Sequence, residues 1–208
     1  MPNHALGATF THLRYIGYQV PTAFARNGTV VSGWDAGAAA APPADMPITP
    51  QRSADACVRL LRLAAVADRA QVLAAELDQG LNPAVRVLTV LVAPEFYFRP
   101  PAIDNDYRQH TYPTTAAAPL WQGLDQVFTA QRFSSMIIAC GTVMWNTVQD
   151  VTRPDPLYFN AMPLVRGGPA GPGPDDRLHV VEKRVPSGID GVPVVFATQR
   201  FAGVSRRP

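Results

Sequence analysis

Two residues of this 208-residue chain stand where chemistry is done, each at the end of an apolar run. Glu95 comes directly after Pro94, which ends the run VRVLTVLVA, and Phe96, Tyr97 and Phe98 follow it. Lys183 closes LHVVEK and precedes Arg184, Val185, Pro186, Ser187 and Gly188, the composition of a sharp turn. A carboxylate at a sheet edge, walled by rings, can take and return a proton. An ammonium at the same edge can stabilise developing negative charge. Open α/β sheets hold ligands just beyond the carboxyl ends of their strands, so Glu95 reads as a general base and Lys183 as its electrostatic partner.

The elements that must position these two groups follow from periodicity. Residues 8–20 (ATFTHLRYIGYQV) read as a first strand, broken near Gly17. Residues 22–50, with an Ala tract, Pro42, Pro43, Pro47 and Pro50, read as loop. A first helix is expected over 53–79, with Ser53 as N-cap and Gly80 as the glycine after its end. Cys57, Leu60, Leu61, Ala64 and Ala65, then Val72, Leu73 and Leu77, recur at helical spacing; the charges, Asp55 and Arg59 among them, fall mostly elsewhere. Residues 85–92 are nearly all apolar, as in a strand covered on both faces. The polar stretch 100–119 reads as irregular, 120–132 as a second helix and 135–145 (SMIIACGTVMW) as a buried strand. Strands are also expected over 157–166 and 178–183, on either side of the Gly/Pro-rich turn 167–176, and over 192–197 and 200–204. Strands alternating with helices, then a strand-rich second half, indicate an α/β fold.

Composition removes several classes of function. The length suits one domain, 1–208, and 47% hydrophobic residues with mean hydropathy +0.00 suit a packed core. A net charge of +2 with scattered Lys and Arg gives no basic stripe for nucleic acid. No stretch has the roughly 18 apolar residues of a membrane span, and MPNHALGATFTHLRY lacks the pattern of a signal peptide. Cys57 and Cys140 stand far apart without metal-type spacing, which suits a reducing, cytoplasmic setting. His110 and His179 form no metal pair, and GGPAGPGP lacks the lysine and helix of a phosphate loop. Neither a metal nor a cofactor is expected.

APEFYF after an apolar strand, IIACGTVMWN, YFNAMPLVRGG and HVVEKRVPSGID occur in that order. Together they resemble the nitrilase, or carbon–nitrogen hydrolase, superfamily, over residues 53–204. The resemblance implies an α-β-β-α sandwich, often dimerised through a helical face, and a small amide or nitrile as substrate. It implies Glu95 as general base and Lys183 as the residue that stabilises the tetrahedral oxyanion. The family's third catalytic member is a cysteine downstream of the lysine, which attacks the nitrile or amide carbon. No cysteine follows Lys183 here: RFAGV matches the start of the strand that would lead to it, and SRRP follows.

Two expectations follow from that gap. The preferred one is a truncated or frameshifted product that lacks the C-terminal part of the sandwich and is inactive. The alternative is an inactive relative retained for binding or interaction. Substitutes for the thiol are poor. Cys140, within an apolar strand, and Cys57, on the inner face of the first helix, both read as small core residues. Ser205 reads as tail.

Other residues near the two candidates have plainer roles. Alternation along a strand points Glu182 away from whatever Lys183 faces. Asp190 is a candidate second acid at the pocket mouth. Asn160 is expected to satisfy backbone groups, His179 to be structural, and Tyr97, Phe98 and Trp145 to be core.

Overall fold

The computed structural model describes residues 10–20, 44–100, 110–147, 158–170 and 177–182. They form one seven-stranded mixed sheet with two helices, an α/β architecture. In chain order the elements are β1 (His12–Gly17), α1 (Ala54–Asp78), β2 (Val87–Val92), β3 (Tyr112–Pro113), α2 (Thr114–Val127), a 3-10 turn (Gln131–Phe133), β4 (Met136–Ala139), β5 (Val143–Asn146), β6 (Tyr158–Arg166) and β7 (Leu178–Glu182).

The sheet is assembled around β6. On one side β4 and β5 lie end to end against it, antiparallel, with Ile138 opposite Val165 and Trp145 opposite Phe159. On its other side β7 pairs antiparallel, Pro163 opposite Val180. Outward from β4 come β2 and then β1, all three parallel, with Val90 paired to Ile137 and to Tyr15. Strands β1, β2 and β4 therefore present their carboxyl ends at one edge.

Both helices cover a single face of this sheet and touch each other. Ser53 caps α1, its hydroxyl accepting from the Ala56 N–H, and Gly80 just past the end has φ +82. The buried stripe of α1 is Ala56, Leu60, Leu63, Ala64, Ala67, Ala70 and Ala74. Small residues in its second half let the helix lie close to the sheet. Val72, Leu73 and Leu77 are exposed instead, a correction to the apolar face read from spacing, and Cys57 is half-buried rather than core.

The second helix also departs from expectation. It begins at Thr114 and runs through Pro119 to Val127, instead of starting after the proline. Burial of Ala116, Ala117, Leu120, Trp121 and Leu124 offsets the hydrogen bond lost at Pro119. The Thr114 hydroxyl, donating to the Asn146 carbonyl at 2.8 Å, ties the helix start to β5. Trp121 meets Trp145 edge-on at 5.5 Å, and Trp145 stacks on Phe159 at 4.9 Å.

The other face of the sheet is apolar and open in part. By alternation it carries Leu13, Tyr15, Leu88, Val90, Val92, Ile137, Met162, Leu164 and Val181. Leu13 and Tyr15 are 59% and 69% exposed, and Val92 and Val181 are 39% and 48% exposed. The described residues thus build one helix layer and one sheet layer. No helix among them is long and apolar enough to cross a membrane.

Candidate functional site

Glu95 sits in a turn where two neighbouring strands break at the same level. Up to Ala93 the chain of β2 runs beside β4, the Ala93 N–H donating to the Ala139 carbonyl at 2.8 Å. The chain then leaves the sheet for Pro94, Glu95 and Phe96, and rejoins at Phe98, which bridges in parallel to Val143 of β5. The strand expected over 135–145 breaks at the same place, at Cys140, Gly141 and Thr142, so it is two strands rather than one. Gly141 has φ +75, and a Cβ there would collide with the Pro94 carbonyl oxygen and with Tyr97 Cβ, 2.5 Å away. Only glycine admits so close an approach at that backbone conformation.

The turn itself is strained and pinned. Phe96 has φ 63, among the described residues the one non-glycine residue with positive φ. For a bulky residue this costs on the order of 1–3 kcal/mol and persists where surrounding structure imposes it. Its N–H donates to Thr142 Oγ1 at 2.8 Å, and the Phe98 N–H donates to the Thr142 carbonyl at 3.0 Å. The Arg99 guanidinium lies 5.0 Å over the Phe96 ring. Between these anchors Glu95 projects to the surface and is exposed.

Beneath the turn is a buried polar network that fastens it to α1. Arg59, 3% exposed, donates from Nη1 to the Tyr97 carbonyl at 2.6 Å and from Nε to Asp55 Oδ2 at 2.7 Å. Tyr97 returns the contact, its hydroxyl donating to the Arg59 carbonyl at 3.0 Å. The Tyr112 hydroxyl donates to the same Asp55 oxygen. Burial first, and then Tyr18, pushes the Tyr97 phenol well above its ordinary range; burial and the Asp55 carboxylate do the same to Tyr112. Both phenols therefore stay protonated donors, as the network requires. By spacing Arg59 falls among the charges off the apolar stripe of α1, and the structure buries it. Its spacing four residues from Asp55 was the available signal.

Of the two sequence candidates, the described structure contains only Glu95. Lys183, Asp190 and Ser205 lie outside the described residues, and β7 ends one residue before Lys183. Glu182 is half-buried on the face shared with Leu178 and Val180, which pack on the core, so it turns from the open face. His179 is exposed on that open face, which corrects the structural role expected of it. Tyr97, Phe98 and Trp145 are core, at 0%, 0% and 1% exposure. Cys140 is fully buried at the strand break, and burial pushes its thiol far above the range of a nucleophile.

Searches against protein-family models, curated proteins and solved structures find no match.

Asn160 is the residue whose surroundings differ most from expectation. It was expected to satisfy backbone groups. It is 4% exposed, yet its Oδ1 meets no donor among the described residues. A cleft of about 390 Å³ lined by Asp78, Arg132, Ser135 and Met136 lies at the start of β4, the opposite end of the sheet from Glu95. The carboxyl edge thus holds a surface carboxylate on a rigid, strained turn, with a threonine and a buried amide nearby. Such an arrangement can move a proton to or from a molecule docked at that edge.

Proposed function

We propose that Glu95 is the general base of a hydrolase acting on a non-peptide carbon–nitrogen bond, amide or nitrile, in the manner of the nitrilase superfamily. The observation that carries this reading is the Glu95 turn. A carboxylate beyond the carboxyl end of a central strand is held by a glycine notch, a threonine hydroxyl and a buried arginine network. Strained backbone of this sort clusters at functional sites. Lys183 is the proposed partner, stabilising the oxyanion of the tetrahedral intermediate.

In the full reaction Glu95 takes the proton of a thiol, the resulting thiolate adds to the amide carbon, and the carbonyl π pair moves to oxygen, where Lys183 meets the charge. Collapse expels ammonia, protonated by Glu95. Water, deprotonated by Glu95, then cleaves the thioester to release the acid and the thiol. Of the two cysteines, Cys140 is sealed in the core and Cys57 is half-buried on α1, so neither offers an open thiol beside Glu95. This favours a second reading, in which these residues bind a ligand without turning it over. An α-β-β-α sandwich is the proposed fuller fold, supported by the exposed apolar face of the sheet, the side on which a second sheet would pack.

The test uses the purified 208-residue chain with simple amides and nitriles. Ammonia release stays at the blank, while a primary amide gives a saturation-transfer NMR signal that Glu95→Ala weakens. Amide binding indifferent to Glu95 contradicts the assignment of the base. Ammonia release that depends on Glu95 contradicts the need for a downstream thiol.

A further inference from the structure

An unpaired buried acceptor marks what the Glu95 site would select. Asn160 lies on β6 opposite Met144 of β5. Odd-numbered positions of β6, Phe159, Ala161 and Val165, point to the helices, so Asn160 lies on the opposite face with Met162 and Leu164. Thr142 directly precedes β5, two residues before Met144, so it borders the same part of β6 as Asn160. Thr142 Oγ1 holds the N–H of Phe96, next to Glu95. Asn160 therefore belongs to the same corner of the sheet as the proposed base.

A buried carbonyl oxygen without a donor is costly, and in a folded protein each such group calls for an explanation. Among the described residues Asn160 Oδ1 is one, in a side chain 4% exposed. Its neighbours on this face are Met144, itself 5% exposed, and Met162, half-buried. Unbranched thioether side chains change rotamer cheaply and make yielding walls, so a small molecule can reach the amide without unfolding the strand.

We infer that Asn160 is a specificity-determining residue whose Oδ1 accepts a hydrogen bond from the –NH2 of a primary amide, so that the site takes amides in preference to nitriles. A nitrile nitrogen carries no hydrogen and can only accept, which leaves Oδ1 as unpaired as before. A site built to pair a substrate donor rejects the analogue that lacks it. The inference rests on the proposed role of Glu95, but it concerns a different atom and a different contrast.

The matched probes are propionamide and propionitrile, titrated into the 208-residue chain by ligand-observed NMR, with Asn160→Leu and Asn160→Ala beside the wild type. The wild type favours the amide by roughly five- to tenfold, the worth of one hydrogen bond. Both variants lose that preference while nitrile binding is retained. Asn160→Leu, which removes the orphan acceptor at similar volume, melts no lower than the wild type. An unchanged amide preference in folded Asn160 variants overturns this inference and leaves the base assignment standing. A preference lost in Glu95→Ala but not in Asn160→Ala also overturns it. Equal binding of the two probes, or of neither, by the wild type overturns it as well.

Discussion

The Pro94 carbonyl oxygen fills the space that a side chain at Gly141 would need. This contact joins the turn carrying Glu95 to the break between β4 and β5, so the carboxylate and the strand break form one construction. Gly141→Ala adds a Cβ at φ +75 into the Pro94 oxygen and Tyr97 Cβ. It is expected to cost about 2 kcal/mol or more, read from the shift in urea midpoint. A variant as stable as the parent means that this close approach does not hold the turn.

The network below makes a graded prediction. Arg59→Met leaves Asp55 and the Tyr97 carbonyl without their shared donor, and breaking a buried pair of this kind costs roughly 3 kcal/mol. Thr142→Val removes only the acceptor of the Phe96 N–H, and about 1 kcal/mol is expected. Denaturation of both variants checks the order. If Thr142→Val costs more than Arg59→Met, the turn is held from the strand rather than from the helix.

Stability should fall on the alkaline side. Tyr97, Tyr112 and Cys140 all have folded-state values raised by burial, so folding favours their neutral forms. Their contribution is intact below the unfolded values, about 8.5 for the thiol and about 10 for the phenols, and is lost as pH rises beyond them. Melting temperature is expected to drop from about pH 8.5 upward and more steeply past about pH 10. In the native chain a disulfide-exchange reagent labels half-buried Cys57 well before Cys140. Equal labelling rates contradict the burial of Cys140.

The partly open sheet face predicts self-association. Leu13 and Tyr15 are more than half exposed on β1, an edge strand of the described sheet, and such apolar edges invite pairing with other chains. Leu13→Lys with Tyr15→Lys should lower apolar dye binding and shift the chain toward monomer by light scattering, at little cost in thermal stability. A large fall in melting temperature instead shows that these side chains are covered.

Much of the fold is legible in the sequence. The α/β class, α1 with its cap and closing glycine, and β2 running into Glu95 follow from periodicity and from turn chemistry that is local in sequence. What was hidden is tertiary. The burial of Arg59 was hidden because a single helix does not show which partner will cover a charge beside its apolar stripe. Pro119 reads as the end of the irregular stretch before the helix because its intrinsic cost is visible and the burial of Leu120 and Trp121 that offsets it is not. The break at Gly141 had a signal, a lone glycine inside a strand, which marks close backbone approach. Asn160 had none: that its oxygen meets no donor among the described residues emerges only once its neighbours are placed.

The central claim is that Glu95 and Lys183 serve one site, and zero-length carbodiimide cross-linking tests it most directly. The reagent joins a carboxylate to an ammonium only where the two are in contact, and peptide mass spectrometry locates the bond. An amide between Glu95 and Lys183, absent in Glu95→Gln, is the predicted result. Lys183 joined to other carboxylates in the folded chain, with none of it joined to Glu95, contradicts the claim.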